Sequence, residues 1–147
     1  MGLKTMILTL NVRCVSGARL TESCLRVIEI DEDATLVDLH DAIQDAVHFG
    51  RDHPYGFFLA HSHRGNRDWL SKEEEWEDRE ADYMERRLGD LFPTGRKRLH
   101  YLFDFGDQWT FEIRPERGRK EPEPGMAYPR VVRSEGPDPV QYPIYNE

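Results

Sequence analysis

From Met6 to Cys14 apolar residues fall on alternate positions, Met6, Leu8, Leu10, Val12 and Cys14, with Thr9, Asn11 and Arg13 between them. A period of two predicts a strand with one face in a core. Gly17 and the polar residues of Ser16–Ser23 then turn the chain into Leu25–Ile30, whose Val27, Ile28 and Ile30 suit a second strand antiparallel to the first. The period next changes to that of a helix. Leu36, Leu39, Ile43, Ala46 and Val47 share one face, Thr35 and Asp38 have the spacing of a capping box, and Gly50 is placed to end the helix.

Beyond Pro54, the aromatic run Tyr55–His61 reads as a third strand and Ser62–Asp68 as a polar loop. Ser71 with Glu74 can cap a charged helix to Arg87 with an inner face of Trp76, Tyr83, Met84 and Leu88; its acidic half reads equally as a solvated loop. Leu88–Phe92 suits a short helical turn closed by Pro93. The strongest hairpin signal follows: Leu99, Tyr101 and Phe103 alternate, Phe105–Gln108 supplies a Gly-containing turn, and Trp109, Phe111 and Ile113 alternate on the return. Residues 116–147 contain Pro129, Pro137, Pro139 and Pro143 and read as an irregular tail. Its Tyr128, Val131, Val132, Tyr142, Ile144 and Tyr145 can lie on the body of the domain.

The expected architecture is one α+β domain over 1–147: a mainly antiparallel sheet of about five strands packed on one or two helices, with a β-grasp-like ββα opening. Its 147 residues and 38% hydrophobic content suit a single core. No run reaches the ~18 apolar residues of a membrane span, and Met1–Leu10 lacks a signal-peptide pattern, so the chain reads as cytoplasmic. There Cys14 and Cys24 are expected as buried thiols without a structural disulfide. A net charge of -8 argues against broad nucleic-acid binding while leaving room for a local basic patch. Arg96-Lys97-Arg98 with Arg114, Arg117, Arg119 and Lys120 is the candidate for that patch, or for a solvated, charge-protected edge.

Tyr101-Leu102-Phe103-Asp104-Phe105-Gly106-Asp107-Gln108-Trp109, preceded by Leu88-Gly89-Asp90-Leu91-Phe92 and followed by Tyr128-Pro129-Arg130, resembles the plasmid pRiA4b ORF-3-like family. Leu39-His40-Asp41-Ala42-Ile43-Gln44 fits it as well. The resemblance implies a domain of unassigned function. The tail departs from the family pattern of a Cys after Pro-Arg and a second Cys before a Pro-Pro-Glu-Asp stretch: Val131 and Asp138 stand there, so chemistry using such a thiol pair is not open to this chain. Some relatives carry resolvase or synthetase-like labels. Ser16 beside Arg13 is too slight a basis for a serine resolvase, and the chain is too short for a synthetase.

Asp104-Phe105-Gly106 echoes a kinase magnesium segment, but there is no Gly-rich phosphate loop or catalytic-loop signature. As turn chemistry, Gly106 supplies a positive φ and Asp104 and Asp107 accept backbone N–H groups. As a site, Asp104 and Asp107 join Tyr101, Gly106, Trp109 and Arg98 in a polar and aromatic binding surface at one edge of the sheet. His61 and His63 have strand spacing for two ligands, with His40, His48, His53 and His100 as further imidazoles, yet no Cys pair or His-Glu-x-x-His helix supports a metal centre. No nucleophile, base and orienting group assemble from these residues, so no catalytic residue, metal or cofactor is assigned. The leading expectation is a noncatalytic module binding a protein or small molecule through the hairpin turn and tail. The alternatives are a small metal-assisted hydrolase using Asp104, Asp107 and nearby His, and a nucleic-acid-associated accessory protein of a mobile element.

Overall fold

Strand β1 (Ile7–Ser16) and strand β2 (Cys24–Asp31) form the opening hairpin, with Leu8 opposite Ile30, Leu10 opposite Ile28 and Cys14 opposite Cys24. Helix α1 (Leu36–Val47) follows. The capping box is formed: the Thr35 hydroxyl accepts from the Asp38 N–H, and the Asp38 carboxylate accepts from the Thr35 N–H. His48, at φ 59, ends the helix two residues before the expected Gly50, and its N–H bonds to the Gln44 carbonyl. The computed structural model describes residues 5–72 and 85–142. Within them come β3 (Tyr55–Ala60), β4 (Asp68–Lys72), a four-residue helix α2 (Leu88–Leu91), β5 (Arg98–Phe103), β6 (Trp109–Pro115) and β7 (Arg130–Glu135).

The strands make one sheet in the order β4-β3-β5-β6-β1-β2-β7, with every pair antiparallel. Among the described residues, seven strands against two short helices correct the expected five-stranded α+β class: the fold is more nearly all-β. Two strands account for the difference. β4 starts at Asp68, the last residue of the expected polar loop, and Ser71, read as a helix cap, lies within it. β7 occupies part of the expected irregular tail. Both are terminal strands of the sheet, and β7 is exposed along most of its length, so neither carries the alternation that marks a half-buried strand. The expected helical face at Trp76, Tyr83 and Met84, and Ile144 and Tyr145 of the tail, lie outside the described residues.

The period-two residues fix which sheet face is covered. Leu8, Leu10, Val12, Ile28, Ile30, Phe57, Leu99, Tyr101, Phe103, Trp109, Phe111 and Ile113 pack with Leu36, Leu39, Ile43 and Val47 of α1 in the main core. Each fully buried aliphatic side chain of this kind contributes about 1.5–3 kcal/mol. On the opposite face Phe58, Ala60 and Leu102 make a smaller cluster with Trp69 and Phe105. Farther along, that face is ionic: Glu112 holds Arg98 and Arg114, and the buried Glu29 holds Lys120 and Arg130. Among the described residues no helix is long and apolar enough to cross a membrane.

Candidate binding surface

The β5–β6 turn holds most of the residues singled out from the sequence. Asp104 leaves β5 at φ 64 and Gln108 enters β6 at φ 54, so these two residues take the left-handed conformation expected of Gly106. An Asp in that region is tolerated when its side chain bonds locally. Here Asp104 Oδ1 accepts from the N–H groups of Gly106 and Asp107 at 3.0 and 3.2 Å. Asp104 Oδ2 lies 3.6 Å from His53 Nε2. Asp107 instead pairs with Arg19 at 2.7 Å. Arg19 also donates to the carbonyls of Val140 and Gln141, so the turn is tied to the tail.

Tyr101 and Trp109 lie inside the core, both without exposed surface. Trp109 stacks edge-on against Phe49 and lies under Gly17, where a Cβ would fall 2.1 Å from the indole. Tyr101 belongs to a buried polar cluster that the sequence did not reveal. Gln44 Nε2 donates to the Tyr101 hydroxyl at 2.9 Å, and that hydroxyl lies 2.5 Å from His40 Nδ1. The direction of that short hydrogen bond is set by the His40 tautomer. Burial depresses the His40 pKa from 6.5 to about 4, and its ring stacks 3.6 Å from that of Tyr55. Helical spacing places His40 and Gln44 on one face, but only the packed fold shows that the face meets Tyr101.

Arg98 lies on the other side of the sheet, 3.4 Å from Glu112. Five members of the basic stripe expected there are paired within the molecule: Lys97 with Asp68, Arg98 and Arg114 sharing Glu112, Arg119 with Glu32, and Lys120 with Glu29, which also holds Arg130. His61 and His63 lie just past β3, and among the described residues no three His, Cys, Asp or Glu side chains are grouped to hold a metal ion. Cys14 and Cys24 face each other as free, buried thiols. Their mutual hydrogen bond draws the Cys24 thiol down to about 7 and pushes that of Cys14 up.

Among the described residues, hollows of about 430 and 350 Å³ lie around Arg13, Glu112 and Arg114 and around Phe92, Pro93 and Arg117, and two further ones adjoin each other between α1 and the chain leading into β7. One hollow of about 500 Å³ is lined by Ile30, Ala34, Ala42, Tyr128 and Pro129 beneath the carboxylates of Asp31, Asp33, Asp38, Asp41 and Asp45. A smaller one of about 110 Å³, lined by Ile28, Ala42, Ala46, Pro129, Arg130 and Val131, adjoins it. β2 contributes to both hollows; opposite α1 the larger is bounded by Tyr128 and Pro129, just before β7, and the smaller by Pro129 with Arg130 and Val131 of β7, where Asp45 is the carboxylate that reaches it. Val131 and Val132 are 43% and 41% exposed, and no described strand pairs with the outer edge of β7.

β7 is firmly seated. Arg130 bonds Glu29 at 2.8 Å at its start. At its end the buried Arg26 donates to the Glu135 carbonyl at 3.1 Å and to Asp138 at 2.6 Å, and Asp138 also meets His48 at 2.6 Å. Farther on, Gln141 exchanges hydrogen bonds with both backbone groups of Gly50 at 2.6 and 3.1 Å. Two of the segments that carried the family resemblance, Leu39–Gln44 and Tyr128–Arg130, meet at this groove.

Comparison with known proteins agrees with that resemblance. The family model described as plasmid pRiA4b ORF-3-like protein matches residues 14–141. Uncharacterized protein y4hQ of Sinorhizobium fredii is 31% identical over 118 residues, covering 80% of this chain and 57% of its own length. The chain thus spans little more than half of that relative. The crystal structure of a protein of unknown function, MM3350 from Methanosarcina mazei Go1, superposes with a TM-score of 0.69 at 24% identity. The match covers 92% of this chain and 72% of that one, and shows a shared fold.

Proposed function

The chain belongs to the plasmid pRiA4b ORF-3-like family, a family of unassigned function, and from that premise we propose that it is a noncatalytic protein-binding module of the cytoplasm whose contact surface is the α1–β7 groove and the β7 edge. The observation that carries this reading is β7 itself. It is a terminal strand with two exposed valines and, among the described residues, an unpaired outer edge, beside a partly apolar groove, and is anchored from behind by the buried Arg26 and Glu29. Unpaired strand edges are templates for another chain. A strand already held in place costs less ordering entropy on binding than a mobile one.

The β5–β6 turn enters this reading as support. Asp104 and Gly106 shape the turn, and Asp107 holds Arg19, which in turn holds the tail that follows β7. Tyr101 and Trp109 are the core on which the turn is built, and Arg98 steadies Glu112 on the opposite face.

The test is capture of partners from a native extract by the wild-type chain, a Val131→Glu/Val132→Glu double variant and an Asp107→Asn variant, all checked for native circular dichroism. The double variant is expected to lose the captured partner, because it sets two carboxylates on the exposed strand, while Asp107→Asn retains most of it. Retention of every partner by the folded double variant refutes the assignment of the surface.

A further inference from the structure

The register of β7 fixes which of its side chains would lie beside an added strand. Val131 stands opposite Ile28 and Ser134 opposite Arg26 on the helix-covered side; Arg130, Arg133 and Glu135 stand opposite Glu29, Val27 and Leu25 on the other, and the register shifts at Val132, which has no partner residue on β2. A strand laid along the outer edge therefore turns alternate side chains toward Val131 and the mouth of the groove. Above that mouth Asp38, Asp41 and Asp45 recur along one stripe of α1, with Asp31 and Asp33 at its far end.

Among the described residues these five carboxylates are met by two guanidinium groups. Arg51 bridges Asp41 and Asp45 at 3.2 and 2.5 Å, and Arg87 binds Asp33 at 2.5 Å. Asp31 and Asp38 carry backbone and hydroxyl hydrogen bonds instead. The groove thus retains negative charge, and Arg51 shows how a guanidinium spans the α1 carboxylates. Apolar walls under an acidic rim match side chains with long aliphatic stems and cationic ends: the stem packs on Val131 and Pro129, and the charged end reaches the aspartates.

Resting on the reading of β7 as the contact strand, we propose that its partner is an extended cationic segment of another protein, added to the sheet beside β7 with Lys or Arg side chains on the groove side. Main-chain hydrogen bonds to β7 supply binding, and the alternate cationic side chains supply specificity. An acidic segment would set like charges against the rim. A second copy of this chain would bring another β7 with its own Arg130 and Arg133, and no new cation to the groove side, where Val131 and Ser134 stand.

The test uses three capped synthetic heptapeptides: alternating Lys and Thr, alternating Glu and Thr, and the Lys–Thr peptide with its strand-pairing amides N-methylated. Each is titrated calorimetrically into the full chain at 50 and 300 mM salt, with amide shifts followed by NMR. The Lys–Thr peptide is expected to perturb the amides of residues 130–135, to weaken at least fivefold at the higher salt, and to bind at least tenfold more tightly than either other peptide. An Asp41→Asn/Asp45→Asn variant, altered only at exposed positions, should lose most of that preference while keeping the fold. Equal binding of the Lys and Glu peptides at β7 overturns the cationic assignment and leaves the contact strand standing. Shifts confined to residues outside β7 and α1, no binding by any peptide, or a β7-mediated dimer that excludes the peptide each overturn the proposal.

Discussion

Gly17 lies against the face of Trp109, closer than any side chain can come, because a Cβ there would sit 2.1 Å from the ring. Gly17→Ala is expected to destabilise the chain by about 1–3 kcal/mol, the usual cost of overpacking a filled core, in urea unfolding followed by Trp fluorescence. At the same scale His40 gives a pH signature. Its folded pKa, depressed from 6.5 to about 4 by burial, means that the unfolded chain binds the proton first as pH falls. Stability contributed by neutral His40 is therefore complete above about pH 7 and is lost between 6.5 and 4, to a total of about 3 kcal/mol. A His40→Gln variant, which keeps a hydrogen-bonding group for Tyr101, should flatten that part of the urea midpoint–pH curve. Neither residue announced its role. Gly17 read as an ordinary turn glycine and His40 as one of six histidines, since their partners Trp109 and Tyr101 are distant in sequence.

Elements with one buried face were legible, and elements without one were not. The alternations of β1, β5 and β6, the capping box of α1 and the short α2 all follow from residues next to one another in the chain. β7 reads only as Val131-Val132 between Pro129 and Gly136-Pro137, and its place in the sheet depends on the buried Arg26 and Glu29. Those two polar residues sit in a strand that otherwise reads as apolar, and they seat its neighbour. Burial opposes ionisation of Glu29, but its hydrogen bonds to Lys120 and Arg130 outweigh that and lower its pKa. Its stabilising effect is thus fully present above the ordinary carboxylate pKa and is lost as the pH falls from there through the lower folded value. Glu29→Gln should loosen β7 by about 1–3 kcal/mol, the scale of a charge-assisted hydrogen bond at a buried group, read as faster amide exchange at residues 130–135 with little change in the β5–β6 hairpin.

For the whole molecule, the run Tyr101–Trp109 marked the family, but its hairpin, expected at a sheet edge, lies in the middle of the strand order and its most prominent side chains face inward. Sequence alone cannot say which face of an amphipathic strand a helix will cover, nor which edge is left open; both depend on the order of seven strands. That order leaves β7 at one end, beside an acidic groove under α1. The most direct measurement is hydrogen exchange by mass spectrometry on the chain alone and with the partner recovered from a native extract. Binding at the α1–β7 surface predicts new protection concentrated at residues 130–135, with a smaller gain over 36–47. Protection centred on the β5–β6 turn, or on the opposite sheet face around Arg13 and Arg114, with β7 unchanged, would contradict it.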